Sequence, residues 1–328
     1  MTTTATNEIV RITGEPGSPK LALHHRCPAS GPAAGGRGTV LSIHGATFPS
    51  ALAVGYRFDG HSWMDDLSDA GFDVWALDFL GYGDSDRYPA MDAGTATDPP
   101  LGRVPEASRQ IARAVAFITN RQGVPRLSLI AHSWGTMAAA HFATVEPDRV
   151  DRLTLFGPTT RRQGKAPAVP APAYRDITLP AQWQRFTEDV PAGEPPVLLR
   201  RHFDRWGPAY LATDPTSATR TPPSVRTPGG PAADIAAARS GDFPYDPGRI
   251  LAPTLIVRGE WDSVTTDTDA RWLFDALIAA PVKRDVKIGR ATHLMHLEEG
   301  RYHLYREVRC FLEGEDRPSD PPSETAAH

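Results

Sequence analysis

The chain predicts an α/β protein: a mostly parallel central sheet with helices on both faces and an inserted cap. Three observations carry this. Short apolar runs alternate with helical patterns along most of the 328 residues, the order expected when crossover helices return each strand to a parallel sheet. Residues 158–247 break that rhythm with half of the chain's 32 prolines. And Ser133 lies where the apolar run Leu127-Ser-Leu-Ile-Ala131 passes directly into a helix-forming segment.

In chain order, apolar runs predict strands over 20–25, 39–43, 73–77, 127–131, 152–156, 254–257 and 284–288. Helical patterns fill the intervals at 61–70, 104–121, 134–145, 266–280 and 300–312. Residues 9–157 and 248–313 would then form the two parts of one core, with 158–247 inserted between them. The inserted segment holds Trp183, Phe186, Phe203, Trp206, Tyr210, Phe243 and Tyr245. A structureless loop of that size is unusual in a compact domain. It reads instead as a cap of short helices over the carboxyl ends of the strands, where open α/β sheets bind ligands; a purely structural extension is the alternative. The first eight residues and the tail 314–328 are polar and are expected to be disordered. No internal repeat is present.

Hydrophobic residues make up 40% of the chain and charged residues 23%, an ordinary globular balance. A net charge of −4 gives no reason to expect nucleic acid as a partner, or an anionic membrane surface. Cys27 and Cys310 are far apart and lack metal-ligand spacing, so two free thiols in a reducing compartment are expected. The first 14 residues contain no apolar signal core, and no run is long enough to span a bilayer. A cytoplasmic protein is the expectation.

The junction at Ser133 has the context of a nucleophile elbow, a sharp strand-to-helix turn that pushes a hydroxyl out of the sheet. Small residues at 131 and 135 would let strand and helix approach closely. A serine that merely caps a helix has the same local pattern, so partners decide. A serine hydroxyl needs an imidazole to take its proton, and the imidazole needs an acid to orient it. After the strand at 254–257 comes Arg258-Gly-Glu-Trp-Asp262, and after the strand at 284–288 comes Gly289-Arg-Ala-Thr-His293. Each places its chemical group in the loop at a strand's carboxyl end. Glu260 is the alternative acid.

The order Ser133, Asp262, His293, each following a strand, resembles that of the α/β-hydrolase superfamily over roughly residues 20–312. His44-Gly45-Ala46 is similar to its His-Gly oxyanion loop, and Asp78-Phe-Leu-Gly-Tyr-Gly-Asp-Ser85 to its Asp-x-x-Gly-x-Gly-x-Ser turn. His293-Leu-Met-His-Leu-Glu298 is similar to its catalytic-histidine segment. Ala131 departs from the commoner glycine but remains small, and the loop Gly157-Pro-Thr-Thr160 lacks the acid some members carry there.

The resemblance implies that Ser133 attacks an acyl carbon, that His293 relays the proton and that Asp262 orients His293. The oxyanion would sit between the backbone N–H groups of Ala46 and Trp134, and neither cofactor nor metal is required. His44 is expected to organise its loop, His132 to point away from the nucleophile, and His296 and Glu298 to bind backbone around His293. Asp84 and Asp86 read as turn stabilisers, and Arg200, Arg201 and Arg205 as a solvated face. His44, Trp183, Phe203 and Trp206 are candidates to line the substrate pocket. The leading expectation is an esterase-like serine hydrolase acting on a medium-sized, partly apolar small molecule, with amide and lactone bonds also open. Acyl transfer and carbon–carbon bond hydrolysis use the same three residues, and a non-catalytic ligand-binding role is a further alternative. Epoxide hydrolases and haloalkane dehalogenases fit less well, because they carry aspartate at the position of Ser133.

Overall fold

The computed structural model describes residues 7–14, 17–28, 37–93, 99–165 and 171–314. In chain order its elements are β1 (Asn7–Ile12), β2 (Leu21–Arg26), β3 (Thr39–Ile43), α1 (Trp63–Asp69), β4 (Asp73–Asp78), α2 (Pro89–Asp92), α3 (Val104–Gln122), β5 (Leu127–His132), α4 (Gly135–Val145), β6 (Val150–Phe156), β7 (Tyr174–Thr178), α5 (Leu179–Thr187), α6 (Arg200–Ala212), β8 (Ser224–Pro228), α7 (Gly230–Arg239), β9 (Thr254–Gly259), α8 (Asp267–Ala276), β10 (Lys283–Ile288) and α9 (Arg301–Glu313).

Because successive strand side chains point to opposite faces, the central strands feed two cores at once. Leu41, Ile43, Trp75, Leu77, Leu129 and Ala131 pack with α3, α4 and α8 on one face. Val40, Val74, Ala76 and Ile130 pack with α1 and α9 on the other. Strands covered on both sides become near-continuous apolar runs, and every residue of β3, β5 and β9 is buried. The helices present matching stripes. Leu304, Tyr305, Val308, Phe311 and Leu312 of α9 recur at helical spacing and are buried. Serine and threonine capping boxes, Ser62 with Asp65 and Thr266 with Asp269, start α1 and α8.

Eight of the ten described strands form the central sheet, in the order β1-β2-β4-β3-β5-β6-β9-β10. All neighbours from β4 to β10 are parallel, while β2 is antiparallel to both β1 and β4. The carboxyl ends of β3, β5, β6 and β9 therefore open on the same side. Buried Asp78 ties this end together: it accepts from Ser50 N at 2.8 Å and Asp84 N at 3.0 Å, and contacts His24 Nε2 at 2.9 Å. Asp86 accepts from Lys20 N at 2.7 Å, which ties the turn to the chain just before β2.

Three expectations need correction. Asn7 and Glu8 belong to β1, an edge strand, where disorder was expected; residues 1–6 and 315–328 lie outside the described residues. Helix α8 stops at Ala276 instead of 280, because Leu277 leaves helical geometry to become fully buried in the core. Between β6 and β9 the chain builds the antiparallel pair β7–β8 as well as α5, α6 and α7. No helix among the described residues is long and apolar enough to cross a membrane.

Candidate active site

Ser133 stands between β5 and α4 with φ of 55°, a left-handed backbone that non-glycine residues adopt at a cost. Its N–H donates to the Phe156 carbonyl at the end of β6 at 2.9 Å, and its own carbonyl accepts from Thr136 N at 3.0 Å. The turn is thus held on both sides. A side chain at Gly135 would sit 2.3 Å from the His44 carbonyl oxygen, which is why only glycine fits at the start of α4. A Cβ on Gly45 would meet that of Ser133 at 3.1 Å, so the 44–46 loop lies directly against the serine. Neither Ala46 N–H nor Trp134 N–H has an acceptor among the described residues.

The structure brings Ser133, His293 and Asp262 together. His293 Nε2 lies 2.8 Å from Ser133 Oγ, and its Nδ1 lies 3.1 and 3.0 Å from the two Asp262 oxygens. Asp262 Oδ1 also accepts from Val264 N at 2.8 Å and Thr265 N at 2.9 Å. Burial alone would raise its pKa; the adjoining His293 and these backbone donors outweigh that and hold the carboxyl below the usual range. Glu260 is committed elsewhere, since its carboxylate accepts from Arg290 N at 2.9 Å.

The neighbouring histidines divide by environment. His44 is buried with Nδ1 on the Gly45 carbonyl at 2.7 Å and Nε2 accepting from Phe79 N at 3.2 Å, which makes it an uncharged organiser of its loop. It does not line the cavity beside Ser133, because its ring is packed instead against Phe79 and Tyr82. His132 Nε2 donates to the His293 carbonyl at 3.0 Å and its ring stacks on Phe156. Burial first, and then the neighbouring histidines, push its pKa far down, so it remains neutral. His132 is also among the residues that line the cavity. His296 has no ring hydrogen bond among the described residues and packs against Phe48, His132 and Phe156, so it does not bind backbone as expected.

Glu298 does bind the loop: it accepts from Thr292 Oγ1 and from Thr292 N at 3.3 Å, one residue before His293. Burial pushes its pKa from 4.5 up to about 7. Between these values the folded protein keeps a proton that the unfolded chain releases. The corresponding stability is complete below pH 4.5 and lost as pH rises through about 7. Replacing Glu298 by Gln should remove up to about 3 kcal/mol of this pH dependence. Thermal melts of both proteins at pH 5 and 8 test it, and equal slopes would refute the assignment.

A cavity of about 550 Å³ opens beside Ser133 and His293. Its apolar wall includes Ala46, Phe48, Val264 and Leu294, and Ala232, Ile235, Ala236 and Arg239 contribute one face of α7. Residues of the 158–247 segment therefore face the serine, but not the ones expected. Trp206 is fully buried in a separate aromatic core with its Nε1 on the Leu52 carbonyl at 3.0 Å. Trp183 and Phe203 border a different hollow between α5 and α6. These three aromatics stabilise the insertion instead of lining the pocket. Arg200 and its neighbours are exposed, as expected of a solvated face, with Arg200 paired to Asp204.

Among the described residues two groups have metal-ligand spacing, His25 with Cys27 and Asp73, and His24 with Asp78 and Asp84. Neither includes a residue of the cavity. Each is already engaged in holding β2 against β4 or the turn after it.

The chain is 29% identical over 136 residues to "Epoxide hydrolase 2" of Siraitia grosvenorii, covering 40% of this chain and 34% of that protein. It is 28% identical over 187 residues to "2-hydroxy-6-oxononadienedioate/2-hydroxy-6-oxononatrienedioate hydrolase" of Burkholderia vietnamiensis, covering 54% and 56%. The chain thus spans between about a third and somewhat over half of the length of these relatives. The solved structure "Lipase (Open form)" is similar with a TM-score of 0.62 at 21% identity, covering 94% of this chain and 98% of that one. The family described as the alpha/beta hydrolase fold matches residues 38–300. With that match spanning most of the chain and the parallel sheet beneath it, the protein belongs to the α/β-hydrolase fold family.

Proposed function

We propose that this protein is a serine hydrolase that cleaves a carboxylic ester of a medium-sized, partly apolar small molecule through an acyl-enzyme. One observation carries the reading: the hydrogen-bonded series from Asp262 through His293 to Ser133 Oγ ends at a cavity of ligand size. In the first step Ser133 Oγ bonds to the acyl carbon while His293 Nε2 takes its proton. The carbonyl oxygen becomes an oxyanion, for which the Ala46 and Trp134 N–H groups are the available donors. Collapse expels the alcohol, which receives the proton from His293. Water then attacks the acyl-enzyme, gives a proton to His293 and releases the acid as Ser133 regains its hydrogen.

The 158–247 segment acts in this reading as a cap, since α7 together with Arg175, Arg185 and Glu188 contributes lining to the cavity. The test is labelling by a fluorophosphonate probe. Wild-type protein should label at Ser133 and hydrolyse p-nitrophenyl esters, and absence of labelling would sink the proposal. A second reading, hydrolysis of a carbon–carbon bond beside a ketone by the same residues, draws on the relative named as a hydrolase of an oxo-dioate. Product analysis with ketone and ester substrates separates the two.

A further inference from the structure

We infer that the substrate carries an anionic group bound by Arg175, so that the cavity holds a charged end as well as a reacting bond. The inference rests on the hydrolase reading of Ser133 and deepens it.

The observation is an imbalance of charge. Lys165, Arg175, Arg185 and Arg239 all line the cavity that contains Ser133, against one acid, Glu188. Glu188 is already taken by Arg185 at 2.7 Å. The other three cations have no carboxylate partner among the described residues.

Arg175 is distinct within this set. Lys165 and Arg239 are exposed and can rely on water, whereas Arg175 is partly buried on β7. Its Nε is enclosed and lacks an acceptor among the described residues. The arginines around it are not left this way. Arg226, on the facing strand β8, pairs with Asp176 at 2.8 Å, and Arg220 pairs with Asp214. A partly desolvated guanidinium without an anion is costly to maintain, and its planar fork of donors matches a carboxylate in a two-bond arrangement. The ligand is the missing partner. Lys165 and Arg239 at the rim would add attraction at longer range and speed the approach of an anion.

The position suits the chemistry. Arg175 lies close enough to Tyr82 to influence its hydroxyl, and that hydroxyl donates to the Ala46 carbonyl at 2.8 Å in the loop against Ser133. Ala232, Ile235 and Phe48 share the cavity with it, so the same cavity offers apolar surface beside the serine and the cation. A molecule with an apolar middle and an anionic end fits both.

The test is competition against p-nitrophenyl butyrate hydrolysis by adipate and by its uncharged analogue adipamide. Adipate should inhibit wild-type protein at least about tenfold more strongly than adipamide, a charge-assisted difference of ordinary size. Arg175→Gln should abolish that difference, and Arg175→Lys should keep part of it. Equal inhibition by the two compounds, or an Arg175→Gln protein that still prefers adipate, overturns the inference. Calorimetry of adipate with Ser133→Ala protein reads the anion site without catalysis. If fluorophosphonate labelling fails but adipate still binds through Arg175, the hydrolase reading falls and the anion site stands.

Discussion

Replacing Ser133 by alanine is expected to lower turnover by roughly five to six powers of ten, the loss seen when the nucleophile of a serine triad is removed. The size follows from what the hydroxyl does. It supplies the bonding electron pair, and His293 Nε2, 2.8 Å away, has no other proton to accept from the enzyme. Any residual rate above water would come from the oxyanion donors and binding, which survive the change. The fold should survive too, because the backbone groups of Ser133 keep their bonds to Phe156 and Thr136. Turnover of a p-nitrophenyl ester, beside a thermal melt, decides the matter. A folded Ser133→Ala protein with more than a tenth of wild-type activity would remove the serine from the chemistry.

The parts of the fold that were legible in the sequence are those whose burial leaves a local pattern. Strands β3, β5 and β9 are covered on both faces, so their sequences are near-continuous apolar runs. Strand β1 is an edge strand, Asn-Glu-Ile-Val-Arg-Ile, in which Glu8, Ile9 and Arg11 are exposed. Its short run of aliphatic residues adjoins a polar terminus without a fully buried face to mark it, and its partner β2 supplies the order. Strands β7 and β8 are likewise made by each other, with pairing from Tyr174–Pro228 to Thr178–Ser224 across about fifty residues of chain.

The candidate site divides in the same way. Ser133, Asp262 and His293 each follow a strand of the parallel sheet, so local context was enough to propose that they meet. The cavity lining comes from remote segments whose convergence no short motif records. Aromatic residues of the insertion were attractive candidates because large apolar side chains serve pockets and cores alike. In the folded protein the need for a core prevails: Phe186, Phe203, Trp206 and Tyr210 pack on one another and on Phe48. The α7 face was recoverable in principle from the spacing of Ala232, Ile235, Ala236 and Arg239. Arg175 left no signal, since its meaning depends on having no partner in three dimensions.

Asp262→Asn is expected to cost roughly four powers of ten in turnover while leaving the fold intact. The reason lies in how the carboxylate is held. Oδ1 accepts two backbone N–H groups, from Val264 at 2.8 Å and Thr265 at 2.9 Å. An asparagine would keep its carbonyl oxygen at that position, since an amide nitrogen cannot accept them. Its NH₂ would then replace Oδ2, 3.0 Å from His293 Nδ1. Two donors facing each other, with Oδ1 at 3.1 Å already shared by two backbone N–H groups, favour the tautomer in which Nδ1 gives up its proton and Nε2 carries one. Nε2 is the atom that has to take the proton of Ser133, and in this tautomer it is already filled. Loss of the negative charge further disfavours the imidazolium that forms during attack. Glu260 cannot substitute, because its carboxylate is bound to the Arg290 backbone. The measurement is kcat with a p-nitrophenyl ester, together with the rate of fluorophosphonate labelling, which should fall in parallel because it needs the same proton transfer. A normally folded Asp262→Asn protein whose labelling and turnover stay within tenfold of wild type would show that His293 is oriented by some other group.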